Sequence, residues 1–340
     1  MNSLMREEAL SAAEAVARQL QAGDDRLAEL CAWLARHPAQ ATVTIARGSS
    51  DHAAGYFAYL SALHGGRLVT SLSLSLLTLY GAPISAPGLL AVAISQSGRS
   101  PDVCLPIQRL RAGGAATLAL VNDEASPLAE AAQWTLPLHA GPERSVAATK
   151  SFITSLVAGA RLVAQRAADS GLHAGLQALP QALREACRQD WSPAIDLLHG
   201  ADRVLVIGRG PGLAIAQEAA LKFKETCAIQ AEAFSSAEVR HGPMALVEAG
   251  YPLLVFAPRG PAQADLLALA SDMSGRGARV LLAAPADVPA RTLTLATTAL
   301  PSLDPIAAIQ SFYLMVDALS QARGMDPDRP RHLRKVTTTL

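Results

Sequence analysis

Leu89-Leu-Ala-Val-Ala-Ile94, followed at once by Ser95-Gln-Ser-Gly-Arg-Ser100, decides the fold. An apolar run this short, closed by a serine- and glycine-rich turn, reads as a strand buried on both faces. Helical spacing resumes from Val103 to Leu110, and a second strand follows at Ala116-Thr-Leu-Ala-Leu-Val121. Upstream, Ala41-Thr-Val-Thr-Ile-Ala46 ends in Arg47-Gly48-Ser49-Ser50 and leads into a helix from about His52 to Leu63. Strands alternating with helices indicate a parallel sheet covered on both faces.

The second half repeats the order. Arg203-Val-Leu-Val-Ile207 runs into Gly208-Arg-Gly-Pro-Gly212 and a helix from Ala214 to Lys224. Leu253-Leu-Val-Phe-Ala257 runs into Pro258-Arg-Gly260 and a helix around Ala262 to Met273, and Ala278-Arg-Val-Leu-Leu-Ala283 forms the next strand. Gly48 and Gly208 lie 160 apart, Thr117 and Arg279 162 apart. Near-constant spacing of strand, glycine turn and helix argues for one α/β domain duplicated. The expected division is an N-terminal helical segment over 1–36, a first domain over 37–166, a helical linker over 167–199, a second domain over 200–324 and a tail over 325–340.

Composition bounds the function. The 340 residues are half hydrophobic, enough for two ordinary cores, and the formal net charge is zero. A general nucleic-acid binder carries a basic excess that this chain lacks. Cys31, Cys104, Cys187 and Cys227 are far apart and form no CxxC pair, so the reading is reduced thiols in a cytoplasmic protein. The N-terminus lacks the basic start and apolar stretch of a signal peptide, and no apolar run approaches the ~20 residues of a membrane helix.

The turn Ser95-Gln96-Ser97-Gly98-Arg99-Ser100 carries the most chemistry. After a buried strand and before a helix, backbone N–H groups and the positive helix end face the crevice at the strand's carboxyl edge. Three hydroxyls and an amide suit phosphate oxygens, and Gly98 admits close approach. Helix capping also uses Ser, but one would serve. Ser49 and Ser50 occupy the matching turn after the first strand, as further phosphate donors or as caps. Gly208-Arg-Gly-Pro-Gly212 is no dinucleotide fingerprint, because Leu213 stands where the third glycine belongs. Glu218, Lys222 and Glu225 share one helical face, either as a solvated charged stripe or as an acid–base group beside apolar surface. His241 precedes a Gly-Pro turn, as a catalytic loop residue or a solvated one. No metal-ligand spacing is present.

At these motifs the sequence resembles the sugar-isomerase (SIS) family, specifically the isomerase domain of glucosamine-6-phosphate synthase and its stand-alone deaminase relatives. The matching pieces are Gly48-Ser-Ser50, Ser95-Gln-Ser-Gly98, Ser145-Val-Ala-Ala-Thr-Lys150, Glu218-Ala-Ala-Leu-Lys-Phe-Lys-Glu225, Glu238-Val-Arg-His-Gly-Pro243 and Asp328-Arg-Pro-Arg-His-Leu-Arg-Lys335. The resemblance implies an α/β fold of two tandem SIS subdomains, each a five-stranded parallel sheet flanked by helices in flavodoxin-like three-layer form. It implies a homodimer without cofactor or metal. Ser49, Ser50, Ser95, Gln96, Ser97 and Ser100 would hold the phosphate, and the backbone at Val146 and Ala147 would meet sugar hydroxyls. Glu225 would move the proton between C1 and C2, and His241 of the partner subunit would open the ring. Lys335 would sit at the C1–C2 end, an ordered role for a tail whose composition alone reads as disordered. Glu218 and Lys222 would orient the cluster.

The chain starts at Met1-Asn2-Ser3, without the synthase's glutaminase nucleophile. The expected reaction is therefore deamination of glucosamine 6-phosphate to fructose 6-phosphate and ammonia. Fructosamine-6-phosphate deglycation and galactosamine-6-phosphate deamination are the alternatives that use the same motifs. Arg47, Arg99 and Arg334 depart from the synthase pattern and point to added positive charge near the anion. A non-catalytic phosphosugar-binding regulator is the competing class, but it has no need of Glu225, His241 and Lys335 together.

Overall fold

The computed structural model describes residues 3–23 and 25–335. Residues 1–2 and the last five residues of the expected tail lie outside them. Three helices lead: α1 (Leu4–Leu10), α2 (Ala12–Gln21) and α3 (Asp25–Arg36). The first alternating stretch is β1 (Ala41–Ile45), α4 (Ser49–Gly65), β2 (Val69–Ser71), α5 (Ser75–Thr78), β3 (Leu89–Ser95), α6 (Pro101–Ala112), β4 (Ala116–Val121), α7 (Pro127–Ala131) and β5 (Trp134–Pro137). Helices α8 (Lys150–Ala167), α9 (Ser170–Ala186) and α10 (Ser192–Leu198) follow. The second stretch is β6 (Arg203–Gly208), α11 (Pro211–Cys227), β7 (Gln230–Ser235), β8 (Pro252–Phe256), α12 (Gln263–Gly275), β9 (Arg279–Pro285), β10 (Leu293–Leu295) and α13 (Asp304–Ala322), with short 3-10 turns at Glu238–His241 and Pro243–Leu246.

The chain forms two units. One holds residues 14–143, 150–177 and 334–335; the other holds 3–13, 144–149 and 178–333. Each contains a fully parallel five-stranded sheet. The orders are β2-β1-β3-β4-β5 and β7-β6-β8-β9-β10, so the second repeats the first strand for strand. The quoted run becomes the middle strand β3, with Leu90 through Ile94 wholly buried. Its side chains meet helices on both faces, which is why it is apolar without alternation. Cores form around Ile45, Ala91, Ile107 and Val121 in the first unit and around Ile207, Leu253, Val255 and Leu269 in the second.

The duplication extends to backbone angles. Gly48, before α4, has φ 54° and ψ −132°, and Gly210, before α11, has φ 58° and ψ −136°. The partner of Gly48 is therefore Gly210, not the Gly208 chosen from sequence, and the offset becomes the same 162 that separates Thr117 from Arg279. Gly208 is glycine for another reason: a Cβ there would lie 2.4 Å from the Gly212 carbonyl oxygen. The crossovers are also tied alike. Arg47 Nε bonds Asp102 Oδ2 on α6 at 2.8 Å, and Arg209 Nη1 bonds Asp265 Oδ2 on α12 at 2.7 Å. A bond from the Ser236 hydroxyl first, and then the two guanidinium groups of Arg240 and Arg209, lower the Asp265 carboxyl to about 2. Among the described residues no helix is long and apolar enough to cross a membrane.

Candidate active site

In the first unit β1 runs to β2 on one side, and the chain then returns to β3 on the other. The carboxyl ends of β1 and β3 are thus neighbours at a switch point, where open α/β sheets leave a crevice for ligands. Ser49 and Ser50 stand there at the start of α4, and Ser95, Gln96, Ser97 and Ser100 stand on the turn before α6. The Ser95 hydroxyl accepts the Gly98 N–H at 3.0 Å, and the Ser97 hydroxyl accepts the Arg99 N–H at 3.3 Å. Accepting through oxygen leaves each O–H able to donate, the polarity a phosphate dianion requires. Pro101 opens α6, giving the turn a helix N-terminus behind it.

Gly98 holds the turn in shape. Its φ is +63°, and a Cβ on it would lie 2.2 Å from Ser126 Oγ and 2.8 Å from Val121 Cγ2. Gly98→Ala is expected to lower stability by about 2 kcal/mol and weaken inorganic phosphate binding at least tenfold, read by thermal unfolding and by titration. Wild-type phosphate affinity in a folded variant would remove the turn from the anion site.

Two of the three arginine departures are neutralised within the unit. Arg47 is tied to Asp102, and Arg99 Nη2 bonds Asp123 Oδ2 at 2.8 Å, which lowers the Asp123 carboxyl below its ordinary range. The extra positive charge expected from them is largely compensated in place. Arg334 is exposed.

The acid–lysine group belongs to the second unit, on α11. This helix starts with Pro211 and ends where Ala228 turns left-handed at φ 49°. Its Ala-rich face and Phe223, edge-on to Phe312 at 5.1 Å, press it against α13. The charged stripe faces inward with it. Lys222 Nζ lies 3.2 Å from Glu218 Oε1 and 2.5 Å from Glu225 Oε2. The Glu218 and Lys222 side chains are 0% and 1% exposed, and Glu225 is 19% exposed. The solvated-stripe reading fails on these numbers. Burial pulls the Lys222 pKa down, but the two carboxylates more than offset it, and the ammonium holds its proton above the ordinary range. Tyr313 donates its hydroxyl to Glu218 Oε1 at 3.1 Å. The group is thus a fixed cation between two acids, one sealed and one open. Glu225 borders a cavity of about 480 Å³ whose wall includes Met325, Arg329, Arg331 and Leu333 of the tail.

The other expected residues are more scattered. Val146 is half-buried and Ala147 buried on the 144–149 segment, which belongs with the second unit. His241 ends its 3-10 turn exposed and, among the described residues, is not hydrogen-bonded to Glu225. Lys335 belongs to the first unit, where its Nζ sits 3.0 Å from Glu143 Oε2. Glu143, wholly buried, also accepts the Ser151 N–H at 3.0 Å and its hydroxyl at 2.5 Å. Sequence reasoning missed Glu143, Tyr313 and Asp102; their one local signal is a polar group inside an apolar or serine-rich stretch. Among the described residues no cluster of His, Cys, Asp and Glu could hold a metal.

The SIS domain family matches residues 37–164 and 197–321. The chain is 36% identical over 266 residues to the isomerizing glutamine–fructose-6-phosphate aminotransferase of Aeropyrum pernix, covering 73% of this chain and 43% of that protein. It spans about half the length or less of the curated relatives it matches. A solved Silicibacter pomeroyi structure, provisionally named a phosphosugar isomerase, is 43% identical with TM-score 0.90, covering 96% of this chain and all of that one. The glucosamine-6-phosphate deaminase of Thermotoga maritima, 20% identical with TM-score 0.79 over 99% and 100% of the two chains, shares the fold.

Proposed function

Since the chain belongs to the SIS-domain family, we propose that it is a phosphosugar isomerase acting on an amino-sugar phosphate, converting glucosamine 6-phosphate and water into fructose 6-phosphate and ammonia. The observation that carries this reading is the buried Glu218–Lys222–Glu225 group with its one open carboxylate. A module that only senses a phosphosugar has no use for a carboxylate held by a sealed ammonium, and burying such charges is costly. The hydroxyl turn of the first unit grips the phosphate dianion. His241, supplied by a partner subunit, opens the ring. Glu225 takes the C2 proton and returns it to C1 through an enolamine, giving a C2 imine. Water adds to that imine and ammonia leaves, so the carboxylate ends as it began. Lys222 holds Glu225 in place without exchanging its own proton. Lys335 acts at the C1–C2 end.

A second reading has its own support. The cavity beside Glu225 is bordered by Lys224, Arg329 and Arg331. Those cations suit a substrate whose nitrogen carries a carboxylate-bearing group, as in a sugar phosphate–amino acid adduct. Purified protein incubated with glucosamine 6-phosphate should release ammonia and fructose 6-phosphate in equal amounts. Faster turnover of fructosamine 6-phosphate adducts would shift the assignment to deglycation. No turnover of any of these would remove the enzymatic reading.

A further inference from the structure

Glu8 is a carboxylate buried on a short leading helix whose sequence reads as unremarkable amphipathic surface. Its two oxygens accept two consecutive backbone amides, Arg144 N–H at 2.5 Å and Ser145 N–H at 3.2 Å. Those amides open the 144–149 segment, which carries Val146 and Ala147. Ser145 is itself wholly buried, and among the described residues its hydroxyl has no hydrogen-bond partner, so the anchoring falls to its backbone amide. The helix behind Glu8 is pinned in turn. Ser3 caps it, Asp328 accepts the Leu4 and Met5 N–H groups at 2.8 Å each, and Gln310 donates to the Ala9 carbonyl at 2.9 Å. Bonds from N–H to carboxylate are charge-assisted and short, and two on adjacent residues fix the direction of the backbone that follows.

We propose that Glu8 is a positioning residue, which sets the 144–149 segment so that its backbone at Val146 and Ala147 meets the hydroxyls of the sugar. This rests on the sugar-phosphate reading of the site given above. The phosphate turn lies in the other unit, so the role of Glu8 concerns the sugar and not the anion. Glutamine at this position keeps one acceptor but turns an NH₂ toward the second donor. It should restore part of what alanine loses.

The test compares Glu8→Ala and Glu8→Gln with the exposed-neighbour control Glu7→Ala. In Glu8→Ala the Arg144 and Ser145 amides should exchange with solvent at least tenfold faster than in the wild type, while amides of α13 keep their rates. KM for glucosamine 6-phosphate should rise tenfold or more, and the dissociation constant for inorganic phosphate should stay within about twofold. Glu8→Gln should fall between, and Glu7→Ala should match the wild type. Unchanged exchange at 144–145, or equal losses of phosphate and sugar affinity, would overturn the proposal. Should Glu8→Ala fail to fold, Glu8→Gln decides by the same readouts. Should the wild type turn over no amino-sugar phosphate, the functional reading fails separately. Amide exchange and the binding of fructose 6-phosphate against inorganic phosphate then decide the role of Glu8.

Discussion

Glu225→Gln is expected to bind glucosamine 6-phosphate within about twofold of the wild type while turning it over roughly 10³-fold more slowly. The replacement is nearly isosteric, and its amide oxygen can still accept from Lys222, 2.5 Å from the present carboxylate oxygen. What it lacks is the ability to take a proton from C2 and give it to C1. An interaction made only in the transition state lowers kcat and kcat/KM together and leaves ground-state affinity alone. Stopped ammonia release measured beside equilibrium sugar-phosphate binding separates the two. Normal turnover in this variant would take the proton shuttle away from Glu225, and with it the reason for the sealed group behind it.

Lys222→Met is the other large effect. It removes the one cation from between two acids while keeping the packing volume. Glu218, with no exposed side-chain surface, keeps the Tyr313 hydroxyl as a neutral partner but loses its cation. Removing one member of a buried pair strands the other charge and costs about 3–5 kcal/mol, whereas removing both is much milder. Urea unfolding should show that loss in Lys222→Met. Glu218→Gln combined with Lys222→Met should recover more than half of it, a coupling that two independent sites would not produce. If the single variant unfolds at the wild-type midpoint, the ammonium is not compensating Glu218. Turnover should fall in both variants, because Glu225 loses the donor that holds it.

How much was legible beforehand depended on whether the signal was local. The strands at Leu89–Ile94, Ala116–Val121, Arg203–Ile207 and Leu253–Ala257 were readable, since a central parallel strand is an unbroken apolar run wherever it lies in the chain. The edge strands β2 and β10 were not: three residues each, with Val69–Ser71 mostly exposed, they are strands only because a neighbour pairs with them. Two carboxylates and an ammonium on one helical face at Glu218, Lys222 and Glu225 could be counted, but burial could not. The stripe is inside because α13 covers it, and that helix lies some ninety positions downstream. The pairing of Gly48 was mistaken by two residues because glycine identity, not backbone angle, was all the sequence offered. Glu8, Glu143 and Asp102 were passed over for the same reason. Each is an ordinary acid in its own stretch and becomes distinctive through a partner 55 to 192 residues away. The tail illustrates the limit from the other side: proline and charge from Asp326 to Lys335 suggested disorder, yet Asp328 caps α1 and Lys335 finds a buried acid.

The paired arginine–aspartate ties, Arg47 to Asp102 and Arg209 to Asp265, have a historical consequence. Because each one clamps two crossovers side by side through side chains of the chain itself, the turns between them can change composition and leave the scaffold intact. At the offset of 162, Ser49 answers to Pro211, and Ser95 and Gln96 answer to Ala257 and Pro258, so the two halves share the ties and differ in the turns. Divergence of the halves could thus proceed by drift in loops rather than by rebuilding a framework.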